Sequence, residues 1–204
     1  LLAEYGLDSE VFLSFLPLSH SYEHTAGLMF PMSIRAEIYY AESVERLALN
    51  MEEVRPTIMT AVPRLYETMH ARILRGIDKK GGLSAALFRR AVAIGSKRYR
   101  GEPLSLGERL LDPLLDRAVR AKVAQRFGGR LKAMVSGGAP LNYDIGLFFK
   151  SLGIELLQGY GQTESAPVVS CNPPSKNKIH TVGPPVVDVE VKIAADGEIL
   201  VRGE

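Results

Sequence analysis

Apolar residues follow two alternating spacings along this chain. Short strand-like runs stand at 11–16, 36–40, 57–62, 131–135 and 154–157, the first almost wholly apolar, as in a strand buried on both faces. Between them, apolar positions recur three or four apart and predict helices over 23–34, 44–54, 64–77 and 143–152. Leu65, Met69 and Ile73 share one face of the third. Ser43 and Asn142 sit where N-caps belong, and Gly153 where the last of these helices must stop. Repeated strand–helix alternation predicts an α/β fold built on a parallel sheet.

Two stretches break that rhythm. From 84 to 127 the strands cease and two helices replace them, the second marked by Leu111, Leu115, Val119, Val123 and Phe127 at four-residue spacing. Pro113 after Asp112 fits a first-turn proline with its cap, so a break is expected there. The second exception follows 167–183, a loop-rich span. Residues 186–201 alternate as β structure does, with a hairpin turn at Ala195-Asp196-Gly197 between 189–193 and 198–201. The divisions that result are an α/β unit over 1–130 with its helical insertion, an α/β segment over 131–170, and the start of an antiparallel β-rich unit over 171–204. Residues 1–5 read as the tail of a helix stopped by Gly6, and 198–201 as a strand with nothing after it to close it. Both ends therefore suggest a central piece of a longer protein.

Composition narrows the classes. With 204 residues, 46% of them hydrophobic, the chain can bury a sizeable core. A single cysteine, Cys171, forms no internal disulfide and suits a reducing, cytoplasmic setting. No apolar run approaches the ~20 residues of a spanning helix. The net charge of +2 hides a polarised chain, because 72–132 carries 16 Lys and Arg against 5 Asp and Glu. That basic helical region, centred on 84–127, reads as a solvated face or as a peripheral contact with anionic lipid. Nucleic acid is the poorer partner, since Phe88, Tyr99 and Phe127 fit helix packing better than a stacking platform.

Candidate chemistry concentrates at Gln158-Gly159-Tyr160-Gly161-Gln162-Thr163-Glu164, read as a loop opening from the strand at 154–157. Its glycines let the backbone approach a ligand and tolerate positive φ. Tyr160 offers a flat face to a base, Thr163 a hydroxyl to a phosphate, and Glu164 a hard oxygen for Mg2+. A second glycine turn, Ser136-Gly137-Gly138-Ala139-Pro140, also follows a strand. Each alone fits an ordinary tight turn. If their strands are neighbours, the two turns at the strands' carboxyl ends form opposite walls of a slot for a planar base. His20 and His24 invite a metal reading, but no third ligand is apparent, with His70 and His180 in unrelated contexts. Serine hydrolase chemistry lacks its Gly-x-Ser-x-Gly elbow. Nothing near Cys171 in sequence lowers its pKa, so it reads as a packing residue.

Gly137-Gly138-Ala139-Pro140, Gly159-Tyr160-Gly161-Gln162-Thr163-Glu164 and Thr181-Val182-Gly183-Pro184-Pro185 resemble, in order and spacing, the adenylate-forming (AMP-binding) superfamily. Asp196 to Gly203 and Leu16-Pro17-Leu18-Ser19-His20 look like its patterns too, so the resemblance covers essentially the whole chain. It implies part of the large N-terminal domain of an acyl-CoA synthetase, with layered sheets, helices and an antiparallel β portion. It also implies ATP, Mg2+ and coenzyme A as participants. Tyr160 would stack on adenine, with Gly138, Ala139 and Pro140 on its other face, Thr163 would contact the α-phosphate, Glu164 would hold Mg2+, and His20 would lie near the acyl carboxylate and phosphates.

Within the superfamily, 16–23 looks most like the long-chain fatty acid–CoA ligases, and the helical stretch 84–127 suits that branch. Some long-chain members gate the acyl tunnel with a tryptophan near the His20 loop. This chain has no Trp, so that gate is absent or filled otherwise, with Tyr22 or His24 as candidates, and the chain length is open. The family's Ser/Thr/Gly-rich phosphate loop, its Tyr-x-Thr-Gly-Asp segment and its small lysine-bearing domain are not in this sequence, and the 204 residues alone are expected not to turn over. Two rival readings stay open: another adenylating enzyme, such as a fatty acyl-AMP ligase feeding a carrier protein, and a nucleotide-binding or scaffold protein of the same fold without catalysis.

Overall fold

The computed structural model describes residues 2–6 and 9–203. Six strands form one sheet in the order β2-β1-β3-β4-β5-β6: β1 Val11–Ser14, β2 Glu37–Tyr40, β3 Ile58–Ala61, β4 Ala133–Ser136, β5 Leu156–Gly161 and β6 Val168–Cys171. Strands β1 to β5 are parallel to one another, and β6 runs antiparallel to β5. A separate hairpin pairs β7 Glu190–Ile193 with β8 Ile199–Arg202. The helices are α1 Leu2–Tyr5, α2 Ser21–Glu23, α3 Phe30–Ser33, α4 Leu47–Val54, α5 Pro63–Lys80, α6 Gly82–Arg100, α7 Leu106–Leu115, α8 Ala121–Arg126 and α9 Tyr143–Ser151. The fold is α/β with a mainly parallel sheet and a small antiparallel one, as the alternation predicts. Leu1, first residue of the expected helix end, lies outside the described residues.

Every residue of β1, β3 and β4 is buried, which explains their apolar sequences. Successive side chains point to opposite faces, and the two faces are covered unequally. Leu13, Met59 and Met134 join a large core with Met51, Tyr66 and Phe149 from α4, α5 and α9. Phe12, Ile58 and Val135 form a much smaller cluster on the other face, backed by Phe30 and Ile34. The covering element there is the helical segment 21–33, in which a π turn, His24–Met29, joins α2 to α3. The thinly covered face is where the cavity lies.

Several boundaries depart from the sequence reading, each for a local reason. Helix α4 starts at Leu47, because the Ser43 hydroxyl accepts from Arg46 N–H at 3.3 Å and caps the preceding turn instead. Pro113 lies inside α7 and does not open a helix. The start is Ser105, whose hydroxyl accepts from Glu108 N–H while Glu108 accepts from Ser105 N–H. Such a reciprocal cap satisfies two orphan N–H groups and is worth about 1 kcal/mol. Asp112 is engaged elsewhere, accepting from Arg98 and Arg120 at 2.7 Å each. The break comes as a π turn over Asp116–Arg120. β6 falls inside the expected loop 167–183, recruited by β5, which runs four residues beyond 157 and offers it an open edge.

Candidate functional site

The carboxyl ends of β1, β3, β4 and β5 lie side by side, with Thr60 paired to Val135 and Ser136 to Gln158. Over them, between segment 21–33 and the loop after β5, is a cavity of about 580 Å³. Its inner walls are apolar: Phe12, Ile58 and Val135 from the sheet, with Ala26 and Phe30 from the helical segment. Its rim is polar, with His20, Ser21, Gln162, Thr163 and Glu164. An outer cleft of about 500 Å³ shares His20, Ser21, Thr25, Thr163 and Pro167 with it, so these residues stand at the junction of two spaces.

The two glycine turns are neighbours, as expected from the sequence, but they are built differently. Gly138 has φ +81°, a conformation that favours glycine, and it borders the cavity with Gly137. Ala139 and Pro140 are exposed and are not among the lining residues. Gly159, Tyr160 and Gly161 belong to β5 itself and do not form a loop after it. Neither glycine has positive φ. Gly161 is needed for close approach, because a Cβ there would overlap the Pro167 carbonyl at the irregularity between β5 and β6. Gly159, Tyr160 and Gly161 all line the cavity.

The polar rim is held by short tethers. His20 caps α2, its Nδ1 accepting from Tyr22 N–H at 3.2 Å. In neutral His20 the proton is thereby on Nε2, leaving that nitrogen as a donor. Ser21 Oγ and Thr163 Oγ1 lie 3.0 Å apart and link the loop before α2 to the loop after β5. Glu164 is exposed on a short 3-10 turn, Thr163–Ser165. Tyr22 lines the cavity and donates to Val135 C=O at 2.9 Å, and burial pushes its phenol well above the usual range. His24 borders only the outer cleft.

Gln158 does not line the cavity. Its buried amide accepts from Leu141 N–H at 3.0 Å and donates to Ile179 C=O, tying the turn after β4 to the segment after β6. Asn172, which the sequence reading passed over, does similar work. Its amide donates to Thr181 C=O at 2.5 Å and accepts from Thr181 Oγ1 at 3.1 Å, shaping the stretch before Gly183. Its position between Cys171 and two prolines was the available signal. The rest of the cavity lining was missed too: Phe12, Thr25, Ala26, Phe30, Ile58 and Thr60 gave no local motif. Cys171 also lines the cavity, with its thiol pushed up to about 11 by burial, as suits a packing residue.

Among the described residues no group of three or more His, Cys, Asp and Glu could hold a metal ion. A lone exposed carboxylate such as Glu164 fits a different mode, in which Mg2+ keeps its waters and takes most other ligands from substrate phosphates.

A family model for AMP-binding enzymes matches residues 2–204. The chain belongs to the AMP-binding enzyme family. Among its relatives, the peroxisomal long chain acyl-CoA synthetase 6 of Arabidopsis thaliana is 33% identical over 210 residues, covering 96% of this chain and 29% of the plant protein. The long-chain-fatty-acid–CoA ligase FadD15 of Mycobacterium bovis is 32% identical over 196 residues, covering 95% of this chain and 32% of the relative. This AMP-binding chain thus spans about a third of the length of the curated relatives it matches. In fold it is similar to a long-chain-fatty-acid-CoA ligase from Archaeoglobus fulgidus, with TM-score 0.61 and 18% identity over 99% of this chain and 36% of that one. A benzoate CoA ligase from Burkholderia xenovorans gives TM-score 0.59 at 25% identity, over 96% of this chain and 31% of that one.

Proposed function

We propose that this chain is the part of an ATP-dependent long-chain fatty acid–CoA ligase that receives the adenine, the α-phosphate and the acyl group. One observation carries the reading: a single cavity has a polar rim of His20, Thr163 and Glu164 and an apolar interior of Phe12, Phe30 and Ile58. That polarity suits a molecule with an anionic, nucleotide-bearing end and a hydrocarbon end. The names of the relatives support the same substrate class.

The reaction has two displacements. A carboxylate oxygen of the acid attacks the α-phosphorus of ATP, the bond to the bridging oxygen breaks, and pyrophosphate leaves. The thiolate of coenzyme A then attacks the acyl carbonyl and AMP leaves. No covalent bond to the protein is required, so its residues contribute positioning and charge stabilisation. Tyr160 stacks on the base, and the backbone of Gly137 and Gly138 lies along the opposite side, with the exposed Ala139 and Pro140 at its outer edge. Gln158 acts through the loops it ties. Thr163 Oγ1, held by Ser21 Oγ, donates to an α-phosphate oxygen. His20 Nε2–H donates to the anionic end of the acid or to the phosphates, a bond worth roughly 1.5–3 kcal/mol to a charged acceptor. Glu164 is the residue that would hold Mg2+, which when bound would neutralise charge on the phosphates.

Gln162, at the rim, completes the loop by bonding Ser165 Oγ at 3.3 Å. The 204 residues are proposed to bind without turning over, a reading supported by their one-third share of the relatives' length. AMP release by the full-length protein tests the function. Release that requires a fatty acid and coenzyme A supports it; release only when a carrier protein replaces coenzyme A favours the acyl-AMP ligase. ATP binding without AMP release from any acid points to a non-catalytic protein.

Contact with lipid completes the proposal. No helix of the described residues is long and apolar enough to cross a membrane. Much of the basic charge is spent internally, as in Arg98 and Arg120 on Asp112. Exposed leucines support the lipid reading better: Leu106, Leu110 and Leu114 line one side of α7 at 79, 78 and 63% exposure. Arg109 in α7 and Arg117 in the turn after it are exposed as well. Such a face would seat leucines among acyl chains with arginines at anionic headgroups.

A further inference from the structure

We infer that Glu23 is a positioning residue for the acyl half of the cavity, an inference that rests on the ligase reading above. Glu23 is fully buried, yet none of the ion pairs among the described residues involves it. A buried carboxyl without a cation is costly unless hydrogen bonds compensate. Here they come from the sheet. Ser14 Oγ at the end of β1 donates to Glu23 Oε1, and Thr60 Oγ1 in β3 donates to Oε2, both at 2.6 Å. One carboxyl thus clamps two adjacent strands.

Its own segment is shaped around it. Glu23 ends α2 and the π turn His24–Met29 follows at once. A Cβ at Gly27 would overlap the Glu23 carboxylate, so the backbone of that turn rests directly on it. π turns of this kind often mark functional sites. The neighbours of Glu23 face the cavity: His20, Tyr22, Thr25, Ala26 and Phe30 line it, and so does Thr60. Glu23 therefore sits behind the wall and fixes where His20 and the acyl-facing side chains stand relative to the sheet. The nucleotide side of the cavity is built mainly by β4, β5 and the Gln158 tie, and the Ser21–Thr163 and Tyr22–Val135 bonds join it to the segment of Glu23. Burial raises the Glu23 carboxyl above its usual range, against the pull of the two hydroxyls.

The closer dependence of the acyl half on Glu23 makes the inference testable in the full-length protein. Glu23→Leu removes both acceptors at similar bulk, Ser14→Ala removes one donor from a residue outside the cavity lining, and Glu23→Gln keeps an acceptor for one hydroxyl and a donor for the other. Folding is followed by thermal unfolding, ATP affinity by direct titration, and kcat and KM for a fatty acid by AMP release. The expected result is a loss of tenfold or more in kcat/KM for the acid in Glu23→Leu, and several-fold in Ser14→Ala. ATP affinity stays within twofold, and Glu23→Gln is restored to near the parent. Equal losses toward ATP and acid, or unchanged acid kinetics in Glu23→Leu and Ser14→Ala, would overturn the inference. If Glu23→Leu does not fold, Ser14→Ala and Glu23→Gln decide by the same criteria. A parent enzyme that adenylates no carboxylic acid defeats the ligase reading first and this inference with it.

Discussion

Replacing Gln158 with methionine separates two roles that the sequence alone leaves mixed. The residue adjoins the glycine-rich motif, which suggests contact with the nucleotide, whereas the structure turns its amide away from the cavity. Methionine keeps the bulk and removes both polar ends. Leu141 N–H and Ile179 C=O, both on buried residues, then lose their partners. An orphaned buried group costs roughly 1–3 kcal/mol, so the pair amounts to about 2–6 kcal/mol. With a urea m-value of about 2–3 kcal/mol/M, the unfolding midpoint of the full-length protein should fall by roughly 0.7–3 M. Because Gln158 joins the turn bearing Gly138 to the segment before Gly183, KM for ATP should rise as stability falls. An unchanged midpoint with an unchanged m would refute this assignment. Weaker ATP binding at full stability would instead restore Gln158 as a direct ligand contact.

Three further outcomes follow from the same geometry. Tyr160→Ala should raise KM for ATP about tenfold or more while leaving thermal stability nearly intact, since base–aromatic stacking is worth about 1–3 kcal/mol; an unaltered KM would remove the stacking role. Glu108 is held down to about 2, first by the Lys97 hydrogen bond and then by Ser105 N–H. Its folded value lies below the unfolded ~4.3, so its stabilisation is complete above that pH and lost as pH falls toward about 2. The stability gap between the parent and Glu108→Gln should therefore narrow between pH 4 and 2; a gap constant with pH would contradict the assignment. Leu110→Asp should abolish co-sedimentation with anionic vesicles without lowering the melting temperature, and equal binding to neutral and anionic vesicles would remove the arginine contribution.

The parallel sheet was legible because β1, β3, β4 and the start of β5 are apolar enough to be buried on both faces, and their helices are periodic. The proximity of the two glycine turns was legible for the same reason, since strand ends in such a sheet converge. Local rules failed where a more distant partner decided. Pro113 and Asp112 look like a helix start, but Ser105 and Glu108 close a better cap seven residues earlier. Gly159 and Gly161 look like loop glycines, yet β6 extends the strand through them. The apolar chamber left no motif, because Phe12, Phe30 and Ile58 meet only after the crossover folds over the sheet. Glu23 gave still less warning: a charged residue in a polar helix start reads as exposed, and only Ser14 and Thr60 make its burial affordable.

Acid-dependent exchange of labelled pyrophosphate into ATP by the full-length protein tests the account most directly, because it reads adenylation without the thiol step. Exchange that requires a long-chain fatty acid, proceeds without coenzyme A and falls at least tenfold in His20→Ala is the predicted result. ATP binding with no exchange across short, aromatic and long-chain acids would contradict the account.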